Sequence, residues 1–247
     1  MNEKNQILQV KPERLYQNAV KYMKQLCGNI DCECEEIRSF LQNKVFPQML
    51  YSIYEKECVS EKGIKLEEEQ ILIDWNEYTE ETIKLEKIEK VVVYFLTIGE
   101  CKTEETENML EKFYIDGWKN AYLEAMRAYS KEYIRKITKC AQICDTFAPG
   151  IAGISIAQIE QFFAVLSGER IGVSYWKNSM LMPEKTVAGV YLLMKDTDVK
   201  YEKNCKNCIG KITGCRYCAK GYMHFDIQSL SKTKGNDKNW NDRRMKK

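Results

Sequence analysis

Four cysteines near the C-terminus form the sharpest chemical pattern in the chain: Cys205-x2-Cys208-x6-Cys215-x2-Cys218. Two Cys-x-x-Cys pairs at this separation can present four thiolates to one tetrahedral ion. Gly210 and Gly214 let the connecting segment turn back, and Lys203, Lys206, Lys211 and Arg216 favour the thiolate form. Zinc and an iron–sulfur cluster both accept four cysteines. Four protein ligands leave no open position, so the expected role is structural rather than catalytic. A redox dithiol pair, or simply free thiols, is the alternative.

Other cysteines carry weaker patterns. Cys27 with Cys32-x-Cys34, and Cys140-x3-Cys144, could contribute ligands or redox chemistry. Cys140 and Cys144 are expected to share a helix face at i, i+4. Burial as small hydrophobes is the favoured expectation for all of them.

Acid–base and nucleophilic constellations are missing, so no catalytic residue is assigned. His224 is the sole histidine. No Gly-x-Ser-x-Gly, Walker or dinucleotide fingerprint occurs. The glycine turns at Ile98–Gly99 and Gly150–Ile151–Ala152–Gly153 are too short to imply phosphate binding alone.

The elements that must position these residues are mixed. Pro12 opens a helix on which Leu15, Ala19, Tyr22, Met23 and Leu26 share a face, and Gly28 ends it. A second helix is expected over Glu35–Lys44, stopping before Pro47. Met49–Trp75 reads as extended segments around a turn near Glu61–Gly63, with Ile71, Leu72, Ile73 and Trp75 as one strand. Thr79 is expected to cap a helix running through Glu89. Val91–Leu96 is the clearest strand, ending at Thr97–Ile98–Gly99. From about Thr103 to Ala141 the pattern is helical, with Gly117 marking a kink or a close contact. After a break at Ala148–Pro149–Gly150, Ser155 is expected to cap a helix over Ile156–Leu166. Ile171–Tyr175 and Thr186–Met194 come next as strands, joined by a loop around Met182–Pro183. The order is not regular βαβ, so the expected class is α+β.

The 247 residues allow one large domain or two small ones, and 44% hydrophobic with 30% charged residues is the balance of a globular chain. The 38 basic and 36 acidic residues nearly cancel, so overall charge gives no reason to expect a nucleic-acid partner. Ser229–Lys247 departs from this, with seven basic and two acidic residues, and reads as a mobile basic end. No apolar run approaches the ~18 residues that span a bilayer. Met1–Gln9 is polar and lacks a signal-peptide core. A cytoplasmic location without membrane attachment is expected, and there the cysteines are not read as a disulfide framework.

Thr146-Phe-Ala-Pro-Gly-Ile151, a helix, an Ile-Gly-Val strand and Ser179-Met-Leu-Met-Pro-Glu-Lys-Thr-Val-Ala-Gly189 resemble one family. The resemblance is to the activation domain of cobalamin-dependent methionine synthase, in its short stand-alone bacterial form. Val92–Gly99 resembles that family's strand ending in Thr-Leu-Gly, and Asp116–Met126 its following helix. The similarity spans roughly residues 80 to 218 and is most specific between 146 and 190.

The resemblance implies a twisted, mainly antiparallel sheet with flanking helices and a small C-terminal cysteine knuckle. It implies S-adenosylmethionine as methyl donor to a reduced corrinoid, with cobalamin carried by a partner methyltransferase and electrons from a flavodoxin-like donor. Glu124, Thr146, Ala148, Pro149, Gly150, Ile151 and Ser179 would line the ligand, and Cys205, Cys208, Cys215 and Cys218 would hold the metal. Two positions depart from the family. Thr146 stands where an arginine usually pairs with the ligand carboxylate, and Ile151 replaces an aromatic. A non-catalytic adaptor with a zinc knuckle, or an iron–sulfur electron carrier for a corrinoid centre, are the rival readings. The expected segments are 1–78 packed on the core, 79–200 the activation-domain-like core, 201–228 the four-cysteine segment and 229–247 the basic tail.

Overall fold

The computed structural model describes residues 3–27, 41, 43–73, 85–101, 108–150, 154–176 and 180–197. The four-cysteine segment, His224, Cys32, Cys34 and the basic tail lie outside the described residues.

The described chain is α+β. Its strands are β1 (Gln6–Gln9), β2 (Gln48–Glu55), β3 (Val59–Ser60), β4 (Gly63–Leu66), β5 (Glu69–Ile71), β6 (Ile88–Thr97), β7 (Gln142–Phe147), β8 (Ser174–Trp176), β9 (Met180–Met182) and β10 (Thr186–Met194). Its helices are α1 (Pro12–Cys27), α2 (Met109–Thr138) and α3 (Ile159–Val165). The central sheet runs β1-β2-β6-β10-β7, every neighbour antiparallel. Among the described residues no helix is long and apolar enough to cross a membrane.

The inner strands β2, β6 and β10 are covered on both faces, which explains why β6 and β10 read as continuous apolar runs. Alternation along each strand still sorts the side chains. Tyr51, Val92, Tyr94, Leu96, Tyr191 and Leu193 pack against α1 and α2, while Leu50, Val91, Val93, Phe95, Val190 and Leu192 pack against α3 and the β4–β5 hairpin. Gly117 lets the two long helices approach: a Cβ there would stand 3.1 Å from the Met23 methyl.

Four expectations need correction. β6 begins at Ile88, preceded by a tight turn over Leu85–Lys87, so no helix runs through Glu89. The strand expected over Ile71–Trp75 is instead Glu69–Ile71; Leu72 and Ile73 leave the ladder, and Leu72 is exposed. Ile171 belongs to a 3-10 turn closed by left-handed Gly172, so the next strand starts only at Ser174. Finally, α2 stops at Thr138 and Cys144 lies on β7, so Cys140 and Cys144 share no helix face. Residues 142–147 pair with the buried strand β10, and that pairing makes them a strand.

Candidate functional site

The turn expected to hold a ligand leaves the sheet from an irregular edge. β7 pairs with β10 through Cys144↔Leu192 and Phe147↔Val190. Asp145 and Thr146 therefore stand opposite the single residue Tyr191, and the register shifts there. Such a bulge bends and twists the strand and re-aims the residues after it. Thr146 is thus on the bulge, one residue before buried Phe147 anchors the strand end in the core.

Ala148 and Pro149 are half-buried and Gly150 is exposed. Gly150 has φ +80, a left-handed conformation that suits glycine. Its N–H donates to the Ile154 carbonyl at 2.8 Å, closing the loop and leaving that N–H unavailable to a ligand. An added Cβ there would meet the Ile156 side chain at ordinary contact distance, 3.8 Å. Ile151 and Ser179 lie outside the described residues.

Downstream, Ser155 acts as expected. Its hydroxyl accepts from the Ala157 N–H at 3.3 Å and caps a 3-10 turn over Ile156–Gln158 that leads into α3. The Gln158 amide oxygen accepts from the Leu72 N–H at 2.9 Å, which ties this turn to the end of β5.

Glu124 sits on α2, half-buried, with the Arg127 guanidinium 3.8 Å away. Two contacts tie this helix to β10 and the corner before it. The Lys185 amine meets the Asp116 carboxylate at 2.7 Å, and the Ser130 and Tyr191 hydroxyls meet at 3.2 Å. Glu124 lies on α2 between these two contacts, and its ion pair is with Arg127.

Burial works against the Lys185 charge, but Asp116 and Glu184 outweigh it and hold its pKa above the ordinary value. Among the described residues Cys58, Cys101, Cys140 and Cys144 are free thiols. Burial pushes Cys58 up to about 12. It also raises Cys101, against the pull of Lys119 and Lys44, and Cys140. Raised values keep the thiolate scarce, so redox chemistry at Cys140 has no support. Among the described residues no group of three histidine, cysteine or acidic side chains is arranged to hold a metal.

The sequence marks Met180-Leu-Met182 as an interface candidate but does not show the β8–β9 hairpin that presents it. The register pairs Trp176 with Met180 and Ser174 with Met182. That face is turned outward: Trp176 is 71% exposed and Met180 65%. The opposite face anchors the hairpin, with the Tyr175 ring 4.7 Å from Phe163 and Phe163 4.5 Å from Phe95. The run Met180-Leu-Met182 was a visible signal, but only the pairing shows which members face out.

No protein-family model matches the chain, and no curated protein matches it in sequence. A solved structure does match it in fold. It is the crystal structure of the MetH reactivation domain bound to AdoHcy. The TM-score is 0.54 at 13% identity, over 81% of this chain and 80% of that one. The likeness establishes a shared fold, and the α+β reading with its antiparallel sheet and flanking helices holds.

Proposed function

We propose that this chain is a stand-alone activation-domain-like protein. It binds S-adenosylmethionine or its demethylated product at the turn after β7 and assists reductive remethylation of a corrinoid methyltransferase. The observation that carries this reading is the left-handed glycine turn, Ala148–Gly150, after a bulged edge strand of a fold shared with a domain solved with AdoHcy.

The chemistry asked of the protein is positioning. A methyl donor held in one orientation against a partner's cobalt needs no acid–base pair here, which fits the absence of such pairs from the sequence. Pro149 and Gly150 would supply backbone and shape, and Glu124 a carboxylate for the cationic part of the donor. Thr146 and Ile151 supply neither the arginine nor the aromatic ring of the family, so the ligand is held without that bidentate contact. The apolar outer face of β8–β9 suits docking onto the cobalamin-carrying partner. A flavodoxin-like electron donor would act on that partner.

At Cys205, Cys208, Cys215 and Cys218, four thiolates suit structural zinc or an iron–sulfur cluster.

Calorimetric titration of S-adenosylhomocysteine and S-adenosylmethionine into anaerobically purified, metal-loaded protein tests the reading. Saturable binding at micromolar to sub-millimolar concentration is the expected result. Absence of heat with both ligands would sink it and leave the adaptor reading, which the exposed Trp176 and Met180 favour.

A further inference from the structure

We propose that Ile156 decides what the Ala148–Gly150 turn accepts: the uncharged, planar part of a ligand, laid across the Ile156 side chain and the bare Gly150 backbone. This deepens the nucleoside-binding reading above and rests on it.

Ile156 is an apolar side chain held out in solvent, 57% exposed. It is not a loose surface residue. Three of its side-chain carbons, Cδ1, Cβ and Cγ1, lie 3.8, 3.9 and 4.0 Å from where a Gly150 Cβ would be. The whole side chain therefore runs alongside the glycine. The turn that carries it is tethered on both sides, through Gly150 N–H to the Ile154 carbonyl and Leu72 N–H to the Gln158 side chain. Ser155 caps it from below. Ile154, two residues earlier, is buried and fixes the return of the loop to the core.

The resulting ledge is pre-organised, so little ordering would oppose binding. Its chemistry is one-sided. Ser155, Ile156 and Ala157 carry no charge, and the Gly150 N–H is already committed. A carboxylate or ammonium group laid on the Ile156 side chain would lose water without gaining a charged partner from these residues. A heteroaromatic face loses little and covers exposed methyl and methylene groups. The ledge therefore selects the adenine face rather than the amino-acid arm.

The test uses the full chain as wild type, Ile156→Ser and Ile156→Leu, titrated with S-adenosylhomocysteine and with adenosine. Because Ile156 is mostly exposed, both variants are expected to keep the wild-type circular dichroism and melting behaviour. The Ser variant is expected to bind both compounds about five- to tenfold more weakly, the equivalent of losing part of one aliphatic contact. The Leu variant should stay within about twofold of wild type. Wild-type affinity of Ile156→Ser for both compounds overturns the role of Ile156 and leaves nucleoside binding intact. Weakened S-adenosylhomocysteine binding with unchanged adenosine binding also overturns it, by placing the amino-acid arm on the ledge. A wild-type chain that binds neither compound overturns the underlying reading itself.

Discussion

The Tyr94 phenol lies across Gly189: a Cβ added at Gly189 would stand 2.5 Å from the Tyr94 oxygen and 2.7 Å from the ring carbon bearing it. The two residues are direct cross-strand partners in the β6–β10 ladder. Tyr94 also packs on Tyr191 with ring centroids 4.4 Å apart. The missing side chain on β10 is thus the space into which the Tyr94 ring folds, beneath α2. Gly189→Ala should destabilise the protein by about 1–3 kcal/mol through overpacking. Adding Tyr94→Phe should recover part of that loss. Denaturant unfolding of the single and double variants checks both, and an unaffected single variant would show that the ring moves freely.

Gly150→Trp separates fold from ligand. The position is exposed, and the nearest atoms to an added Cβ are at ordinary contact distance. The left-handed φ of +80 sets the stability loss at about 1–3 kcal/mol. The indole would lie over the turn beside Ile156. The expected outcome is a folded protein with no detectable S-adenosylhomocysteine binding, measured by calorimetry beside a thermal melt. Retained affinity would move the site elsewhere.

The Lys185–Asp116 pair joins α2 to the corner before β10. Asp116 is half exposed, so Lys185→Met should cost only about 0.5–1 kcal/mol in chemical denaturation. Its pH dependence has a definite sign. The folded amine has a raised pKa, so its contribution is complete below the ordinary lysine value of about 10.4 and is lost as pH rises through the raised one. The difference between wild type and Lys185→Met should shrink in that alkaline window.

Cys58 acts in the same direction at lower pH. The unfolded thiol ionises near ~8.5, whereas burial holds the folded one up to about 12. Between those values the folded state retains a proton that the unfolded state has lost, so stability falls as pH rises. Cys58→Ala should flatten the decline in melting temperature across roughly pH 8.5 to 10.5. An unchanged slope would assign the alkaline loss to other groups.

Replacing Cys205 and Cys208 together with serine should remove bound metal, because two thiolates cannot complete a tetrahedral site. Metal analysis of anaerobically purified protein, with visible absorption to separate iron–sulfur from zinc, reads this directly. Equal metal content in the variant would place the ion elsewhere.

Elements with strong local signals are legible in the chain alone. Pro12 and a one-sided apolar face specify α1, and the β-branched run Val91–Val93 with Tyr94–Leu96 specifies β6. Thr186–Met194 and the Ser155 cap are equally legible, as is Gly150 as a special backbone position. Other features arise from contacts between distant segments. Gln142–Phe147 has weak strand character and becomes β7 because the edge of β10 pairs with it. Leu85–Glu89 reads as helical, yet Ile88 is drawn into the sheet by its pairing with Met194. The bulge at Thr146 arises from the mismatch of two residues against one in the β7–β10 ladder, which no local pattern encodes. Likewise the exposure of Trp176 and Met180, and the closeness of Ile156 to Gly150, depend on how separate segments meet. Periodicity tells which side chains share a face; it does not tell what that face meets.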